Sequence, residues 1–535
     1  MKNNHLSLKP GRMLSLLNDF AARRVKQDLP IKKQSQLAAS ILFYDHVSKL
    51  LGLWVIRPHG LPEPRFLIND FFVSPLHKRH IQYDSGPLNK AAGMICWFPI
   101  RNGFRSFEIY DGEGKIPFLC NKKITHSVTP QHICRPGNRK NLLTRKNRLA
   151  LFLSRLWFIK DKYSGCWLFA DRDFKADDNA EHLYRWIIKH RPEQKAFFAL
   201  SKNSDDWQRL EAEGFKLVDI HSLHYFFAFI HSNWLIASNI TDFIYKSNWR
   251  KKFAHILNQH VCYLQHGITI NYQPSMNKKT FRLLITAAEQ EYYAFAHDPK
   301  YDYTLCSREL RLTGLPRHDT LIDKAKQVRS PKTVLLMPSW RENIVNDLDS
   351  GSGKRSYYPY FVYSDFFLNW NAVLTSKSFH TAVTQNGYRL RVFPHPYLRQ
   401  QLRDFNLDDE IVVNDVGGSI QDILADTALL ITDYSSISME VAMLGRPVLY
   451  YQFDRKDFLE GGHWVRSGYF NYEKDGFGEV CLTPNSLVKT ACEYLFGGCV
   501  MKHEYLRRKK NFFAFNDQNN CKRVYEAIKD VVQLR

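Results

Sequence analysis

The sequence predicts an α/β protein in which two doubly wound, Rossmann-like halves face a cleft, behind a basic N-terminal extension. Three observations carry this. From Trp167 onward, strand-length apolar runs alternate with helical segments: CWLFA, AFFAL, FKLVDI, NWLIAS and VCYLQ. After TGLPRHD (313–319) the alternation restarts with TVLLM, LRVF, EIVV, ALLIT and PVLYY. Short polar or glycine-containing motifs directly follow several of these runs, at the strand ends where open parallel sheets bind ligands.

Residues 1 to about 50 read as helical. Leu14, Leu16, Leu17, Phe20 and Val25 make a partial apolar stripe, and Lys2, Lys9, Arg12, Arg23, Arg24, Lys26, Lys32, Lys33 and Lys49 outnumber Asp19, Asp28 and Asp45. Such a helix suits an anionic leaflet as well as an ordinary solvated face. From about 51 to 150, alternations such as FLINDFFV, MICWFPI and FRSFEIYDGEGKIPFL predict a small β-rich or mixed module. The expected domains are therefore 1–150, an accessory extension, then 151–315 and 316–535, the two Rossmann-like halves.

Ser222 to Thr241 carries no Lys, Arg, Asp or Glu and is nearly long enough to span a bilayer. His224, His231, Ser232 and Asn233 interrupt it, so a helix ending near Ser232 and a strand from Trp234 to Ala237 are expected instead. The polar insert Glu342 to Ser364, containing DSGSGKRS, breaks the rhythm and reads as a surface loop or a flap over a bound donor.

At 535 residues the chain can bury several cores, and hydrophobic and aromatic contents of 44% and 14% argue against long disorder. A net charge of +22 makes polyanions the expected partners. No RNP, zinc-finger or helix-turn-helix signature accompanies it, so nucleic acid is not expected. The ten cysteines are scattered without a C-x-x-C pair, which predicts reduced, buried thiols. No apolar stretch of signal-peptide type follows the basic first residues, and a cytoplasmic enzyme is expected.

The most informative stretch is ALLITDYSSISMEVAMLGRPVLYY (428–451): strand, polar corner, short amphipathic helix, strand. A loop leaving a parallel strand for a helix presents N–H groups and hydroxyls that suit a phosphate. Ser435 or Ser436 would equally serve as an ordinary helix cap. Four motifs precede it in order: YLQHGITI (263–270), TGLPRHD, LLMPSWRE (335–342) and VFPHP (392–396). Together the five resemble the CDP-glycerol glycerophosphotransferase family of teichoic-acid and capsule polymer transferases, over roughly residues 160 to 530. The tail FNDQNNCKRVYEAI (515–528) resembles the family's ending. The chain departs from the family pattern at Leu264-Gln265, where an aromatic residue usually precedes His-Gly, and at Ile268-Thr269, where Thr-Pro is more common.

The resemblance implies the GT-B architecture and a reaction in which an acceptor hydroxyl attacks the phosphorus bearing glycerol in CDP-glycerol and expels CMP. His266 is the candidate base, and the resemblance gives it an essential role; alone, a His after a strand is also a common hydrogen-bonded structural residue. Gly267 would admit substrate close to the backbone. His395, held extended between Pro394 and Pro396, is assigned to the donor diphosphate, the alternative being a rigid turn in which only the prolines matter. Arg341 and Arg317 would bind phosphate, or instead pair with Glu342 or Asp319. Ser435 and Ser436 would hold the pyrophosphate, while Asp433 and Glu440 orient that loop or touch a sugar.

Helix dipole and basic side chains are expected to take the phosphoryl charge, with no metal and no cofactor beyond the donor substrate. The expected acceptor is an anionic polyol-phosphate or lipid-linked chain, and the expected location is peripheral, on the inner face of the bacterial cell membrane. The basic aromatic patch YKSNWRKK (245–252) would follow such a polymer, touch the membrane, or be a charged helix face. Alternative functions are a CDP-ribitol phosphotransferase, a nucleotide-sugar GT-B glycosyltransferase, or a polyanion-binding protein without turnover.

Overall fold

The computed structural model describes residues 145–239, most of 257–346 and most of 355–533, together with strand segments between 38 and 116. In the N-terminal part, β1 (Ala38–Asp45), β2 (Leu50–Pro58), β5 (His77–Asp84) and β6 (Lys90–Pro99) form one antiparallel sheet in the order β1-β2-β6-β5. A second, β4-β3-β7-β8, joins β3 (Arg65–Ile68), β4 (Phe71–Val73), β7 (Phe107–Asp111) and β8 (Gly114–Ile116). Alternate residues are buried in β2 (Leu53, Val55) and β6 (Met94, Cys96, Phe98). The sheets touch through Phe66 and Phe98, with ring centroids 4.7 Å apart.

The helix expected through about residue 50 is corrected here: Ala38–Asp45 is a strand. Its residues pair with β2, Ser40 opposite Trp54, and this ladder outweighs any local helical preference. The apolar stripe at residues 14–25 lies outside the described residues, as does the patch at 245–252.

Two all-parallel sheets form the remainder. The first contains β9 (Trp167–Ala170), β10 (Ala196–Leu200), β11 (Leu217–Asp219), β12 (Trp234–Ala237), β13 (His260–Tyr263), β14 (Leu283–Thr286) and β15 (Leu310–Leu312), ordered β11-β10-β9-β12-β13-β14-β15. The second contains β16 (Thr333–Met337), β17 (Arg389–Val392), β18 (Val412–Val413), β19 (Thr427–Thr432), β20 (Val448–Tyr451) and β21 (Val480–Cys481), ordered β18-β17-β16-β19-β20-β21. All residues of β9, β10, β12, β14, β19 and β20 are buried, because helices cover both faces. In each sheet the strand order reverses beside the first strand, between β9 and β12 and between β16 and β19. These are the switch points where doubly wound sheets open a crevice.

Five helices position the site. They are α1 (Asn179–His190) after β9, α2 (Pro316–Gln327) between the sheets, α3 (Ile420–Ala425), α4 (Ile437–Met443) after β19, and the C-terminal α5 (Asn520–Gln533). Although last in the chain, α5 returns to the first sheet, where the Tyr525 ring meets Trp167 at 5.5 Å and Trp186 at 5.7 Å. Asp319 on α2 caps it from outside by accepting from the backbone N–H groups of Asn520 (3.0 Å) and Cys521 (2.8 Å). The uncharged stretch after Ser222 is a core helix, Leu223–His231, ending at Ser232. Among the described residues no helix is long and apolar enough to cross a membrane.

Gly314, between β15 and α2, has φ +79°, and a Cβ there would lie 2.0 Å from Asn520 Oδ1. Gly314→Ala is expected to cost about 2 kcal/mol or more through left-handed strain and overpacking, read as a lower urea midpoint at unchanged slope.

Candidate active site

Directly after β9 comes Asp171, which is fully buried. Its carboxylate accepts from the backbone N–H groups of Asp178 (3.2 Å), Ala180 (3.0 Å) and Glu181 (3.2 Å) and from the Ser238 hydroxyl after β12, so it clamps the start of α1 across the switch point. Burial raises its pKa well above the usual value, reinforced by the nearby Asp178 charge.

The three residues that open α1 each hold a different part of the molecule. Asp177, at φ +67°, accepts from Ser419 Oγ (2.9 Å) and Ile420 N (2.8 Å), at the start of α3 in the second sheet. Asp178, the N-cap of α1, takes His266 Nδ1 on one oxygen and Arg317 Nη1 (2.8 Å) on the other. Asn179 donates to the Gln265 carbonyl (2.9 Å) and accepts from Arg317 N (3.0 Å). Burial opposes the Asp178 charge, but His266 and Arg317 outweigh it and hold the carboxyl well below its usual range.

His266 follows β13 on a turn set by Gln265, whose φ is +63°. The Gln265 side chain is locked to Ile285 O (2.6 Å), Glu291 (2.9 Å) and Thr269 Oγ1 (2.6 Å). The His266 ring is 55% exposed, and its Nε2 lies 3.3 Å from Arg172 Nη2. A guanidinium only donates and an ionised carboxylate only accepts, so Nδ1 carries the proton toward Asp178 and Nε2 keeps its lone pair. That is the tautomer a general base needs on its open side.

Arg317 is 4% exposed, with Nε donating to Glu440 (2.8 Å) and Nη2 also paired with it. Glu440 lies on α4 and is 2% exposed. His318 beside them is pushed down to about 3 by burial and then by the Arg317 charge, so it is neutral. Gly267 is needed for closeness: a Cβ there would lie 2.7 Å from Ser436 Oγ and 3.6 Å from Arg317 Nη2. Ser436 opens α4 without a side-chain cap bond, while Ser435 Oγ accepts from Ile437 N at 3.4 Å.

A second group surrounds His395. Its backbone is extended (φ −59°, ψ 141°), its Nδ1 accepts from Tyr397 N (3.2 Å), and its ring centroid lies 5.9 Å from Trp340 and 4.9 Å from Tyr397. Arg355 from the polar insert covers both aromatics, at 5.1 and 4.7 Å. Arg341 points away into the core. It is 4% exposed, paired with Asp454 (2.6 Å) and Asp433 (2.9 Å), and donates to Ser339 O (2.8 Å). Asp433 also accepts from Ser339 N (3.0 Å) and Tyr434 N (2.6 Å), which joins the ends of β16 and β19.

The structure thus groups His266, Gly267, Arg317, Glu440 and Ser436 by contact; His395 sits with Trp340 and Tyr397 in a separate aromatic group, and Asp433 with Arg341 in a third. Sequence reasoning missed Asp171, Arg172, Asp178 and Asn179. The signal was present: Asp171-Arg172-Asp173 is a D-x-D sequence directly after a strand, and Asp177-Asp178-Asn179 is a helix-start pattern. Asp171 is turned inward onto backbone N–H groups, and among the described residues no cluster of three His, Cys, Asp or Glu has metal-ligating geometry.

Residues 151–530 match the family model described as CDP-glycerol:poly(glycerophosphate) glycerophosphotransferase. The chain belongs to that family. It is 33% identical over 367 residues to the minor teichoic acid biosynthesis protein GgaB of Bacillus subtilis (strain 168), a match covering 68% of this chain and 39% of GgaB. It is 24% identical to the teichoic acid poly(ribitol-phosphate) polymerase of Bacillus spizizenii, covering 68% of this chain and 56% of that protein. The match thus spans about two fifths to just over half of these relatives. The solved structure of the wall teichoic acid polymerase TagF shares the fold, with a TM-score of 0.51 and 15% identity over 73% of this chain and 94% of TagF.

Two tests follow from the geometry. Asp178→Asn should lower turnover by about 10²-fold or more in steady-state assays, because an amide can donate to Nδ1 and so favour the wrong tautomer. Glu291, beneath the Gln265 turn, is raised by burial from 4.5 to about 7 despite accepting from Ala287 N, Thr269 N and Gln265. A raised carboxyl pKa means that the folded state binds more protons than the unfolded one. Its contribution is therefore fully present below about 4.5 and is lost as pH rises to about 7. Glu291→Gln should flatten that segment of the stability–pH curve measured by urea unfolding.

Proposed function

We propose that the chain transfers glycerol phosphate from CDP-glycerol to a hydroxyl of an anionic polyol-phosphate acceptor and releases CMP. The observation that carries this reading is the Asp178–His266 pair, which leaves Nε2 unprotonated on the exposed side of a switch-point crevice. In the reaction the acceptor O–H gives its proton to Nε2 while its oxygen bonds to phosphorus. The P–O bond to CMP breaks, and CMP leaves with the electron pair. His395, with Ser435 and Ser436, faces the donor diphosphate in this reading, and the Arg317–Glu440 pair holds α4 against Asp178. The sheets of 151–315 and 316–535 act as the two halves of a GT-B enzyme, peripheral on the inner membrane face and independent of metal.

A CDP-ribitol donor is the second reading, favoured by the naming of ribitol phosphate in one of the two relatives above. A nucleotide-sugar transferase would release a nucleoside diphosphate instead. The test is CMP release from CDP-glycerol and from CDP-ribitol, with and without a glycerol-phosphate oligomer and with EDTA. Expected are acceptor-dependent CMP with one donor, no EDTA effect, and a loss of at least about 10²-fold in His266→Ala. No CMP from either donor would overturn the proposal.

A further inference from the structure

We propose that Arg172 is the donor-phosphate ligand of this site, and that before donor binds it covers the base by holding His266 Nε2. The inference rests on the transferase reading above and deepens it. The two arginines expected at the phosphate are committed elsewhere. Arg317 and Arg341 are each 4% exposed and each bound to two carboxylates. A guanidinium so enclosed has its charge matched already and its N–H fork occupied.

Arg172 differs on each count. It is the second residue after β9, at the switch point of the first sheet, and is half-buried rather than enclosed. Among the described residues it has no carboxylate within ion-pair distance; its guanidinium partner is the neutral imidazole nitrogen of His266 at 3.3 Å. Arg172 acts on the Asp178 carboxylate through space, without a hydrogen bond between them, which leaves its fork able to turn to an incoming phosphate.

Its present partner is also the weaker one. A phosphoryl oxygen is charged, and charge-assisted hydrogen bonds from a guanidinium are shorter and about twice as strong as those to a neutral acceptor. When donor binds, the fork moves from Nε2 to the phosphate. Nε2 is then free to accept the proton of the acceptor hydroxyl. Donor occupancy and base availability thereby become one event, and the phosphorus is drawn to the nitrogen that deprotonates its attacker.

The experiment uses the full chain: wild type, Arg172→Ala, Arg172→Gln and Arg172→Lys, with CDP binding by calorimetry, KM for donor and acceptor separately, and melting temperature. Arg172→Ala and Arg172→Gln should weaken CDP binding and raise donor KM by roughly 10- to 100-fold, with acceptor KM changed less than about twofold. Arg172→Lys should recover part of the loss, and millimolar guanidinium should partly rescue Arg172→Ala. Arg172→Gln keeps the stem and serves if Arg172→Ala fails to fold. Unchanged CDP affinity and donor KM in variants of an active wild type would overturn this inference alone. A wild type that neither binds CDP nor uses a CDP-polyol would overturn the proposed function and this inference with it.

Discussion

The site is organised around one enclosed cation. Arg317 leaves the first turn of α2 and lies between Asp178, which caps a helix of the first sheet, and Glu440, on a helix of the second. Removing water from such groups costs several kcal/mol per ion, and the arrangement persists because each guanidinium nitrogen finds a carboxylate oxygen. Asp178 serves twice: the carboxylate that neutralises Arg317 also turns the His266 ring. A single side chain therefore sets both inter-sheet contact and the orientation of the His266 ring.

Topology explains why these residues meet although they are far apart in sequence. Reversing strand order beside β9 and beside β16 leaves gaps between neighbouring helices at the carboxyl ends. Asp171, Asp178 and Ser238 flank the first gap; Ser339, Asp433 and Ser436 flank the second. The C-terminal helix crosses back onto the first sheet, and its start is held by Asp319, two residues from Arg317. Last and middle segments of the chain thus brace the same corner.

Much of this architecture was legible. Strands such as AFFAL and PVLYY are short apolar runs bounded by polar residues, and their alternation with helical segments marks a parallel sheet. The short strands β14, β15 and β21 went unread; LRL and VC carry no run long enough to register, whereas LLIT is an apolar run that was passed over. The strand at Ala38–Asp45 was misread because its partner, β2, is a tertiary feature that local pattern does not contain. At the site, His266 was visible through its motif, but its orienting carboxylate was not. Asp178 lies 88 positions away and reaches the ring only through the fold. Arg341 shows the reverse failure: a basic residue at a strand end suggested phosphate, whereas Asp433 and Asp454 enclose it.

The bridge from Asp177 to Ser419 and Ile420, beside the Arg317–Glu440 pair, bears on motion between the sheets. A hinge opening that parted them would strand a carboxylate in a dry interior, at a cost of order 3 to 5 kcal/mol. Such an open state would hold no more than about one molecule in 150 at equilibrium. Breathing of the crevice is then confined to elements outside this lock, and the spacing between Asp178 and Glu440 stays fixed.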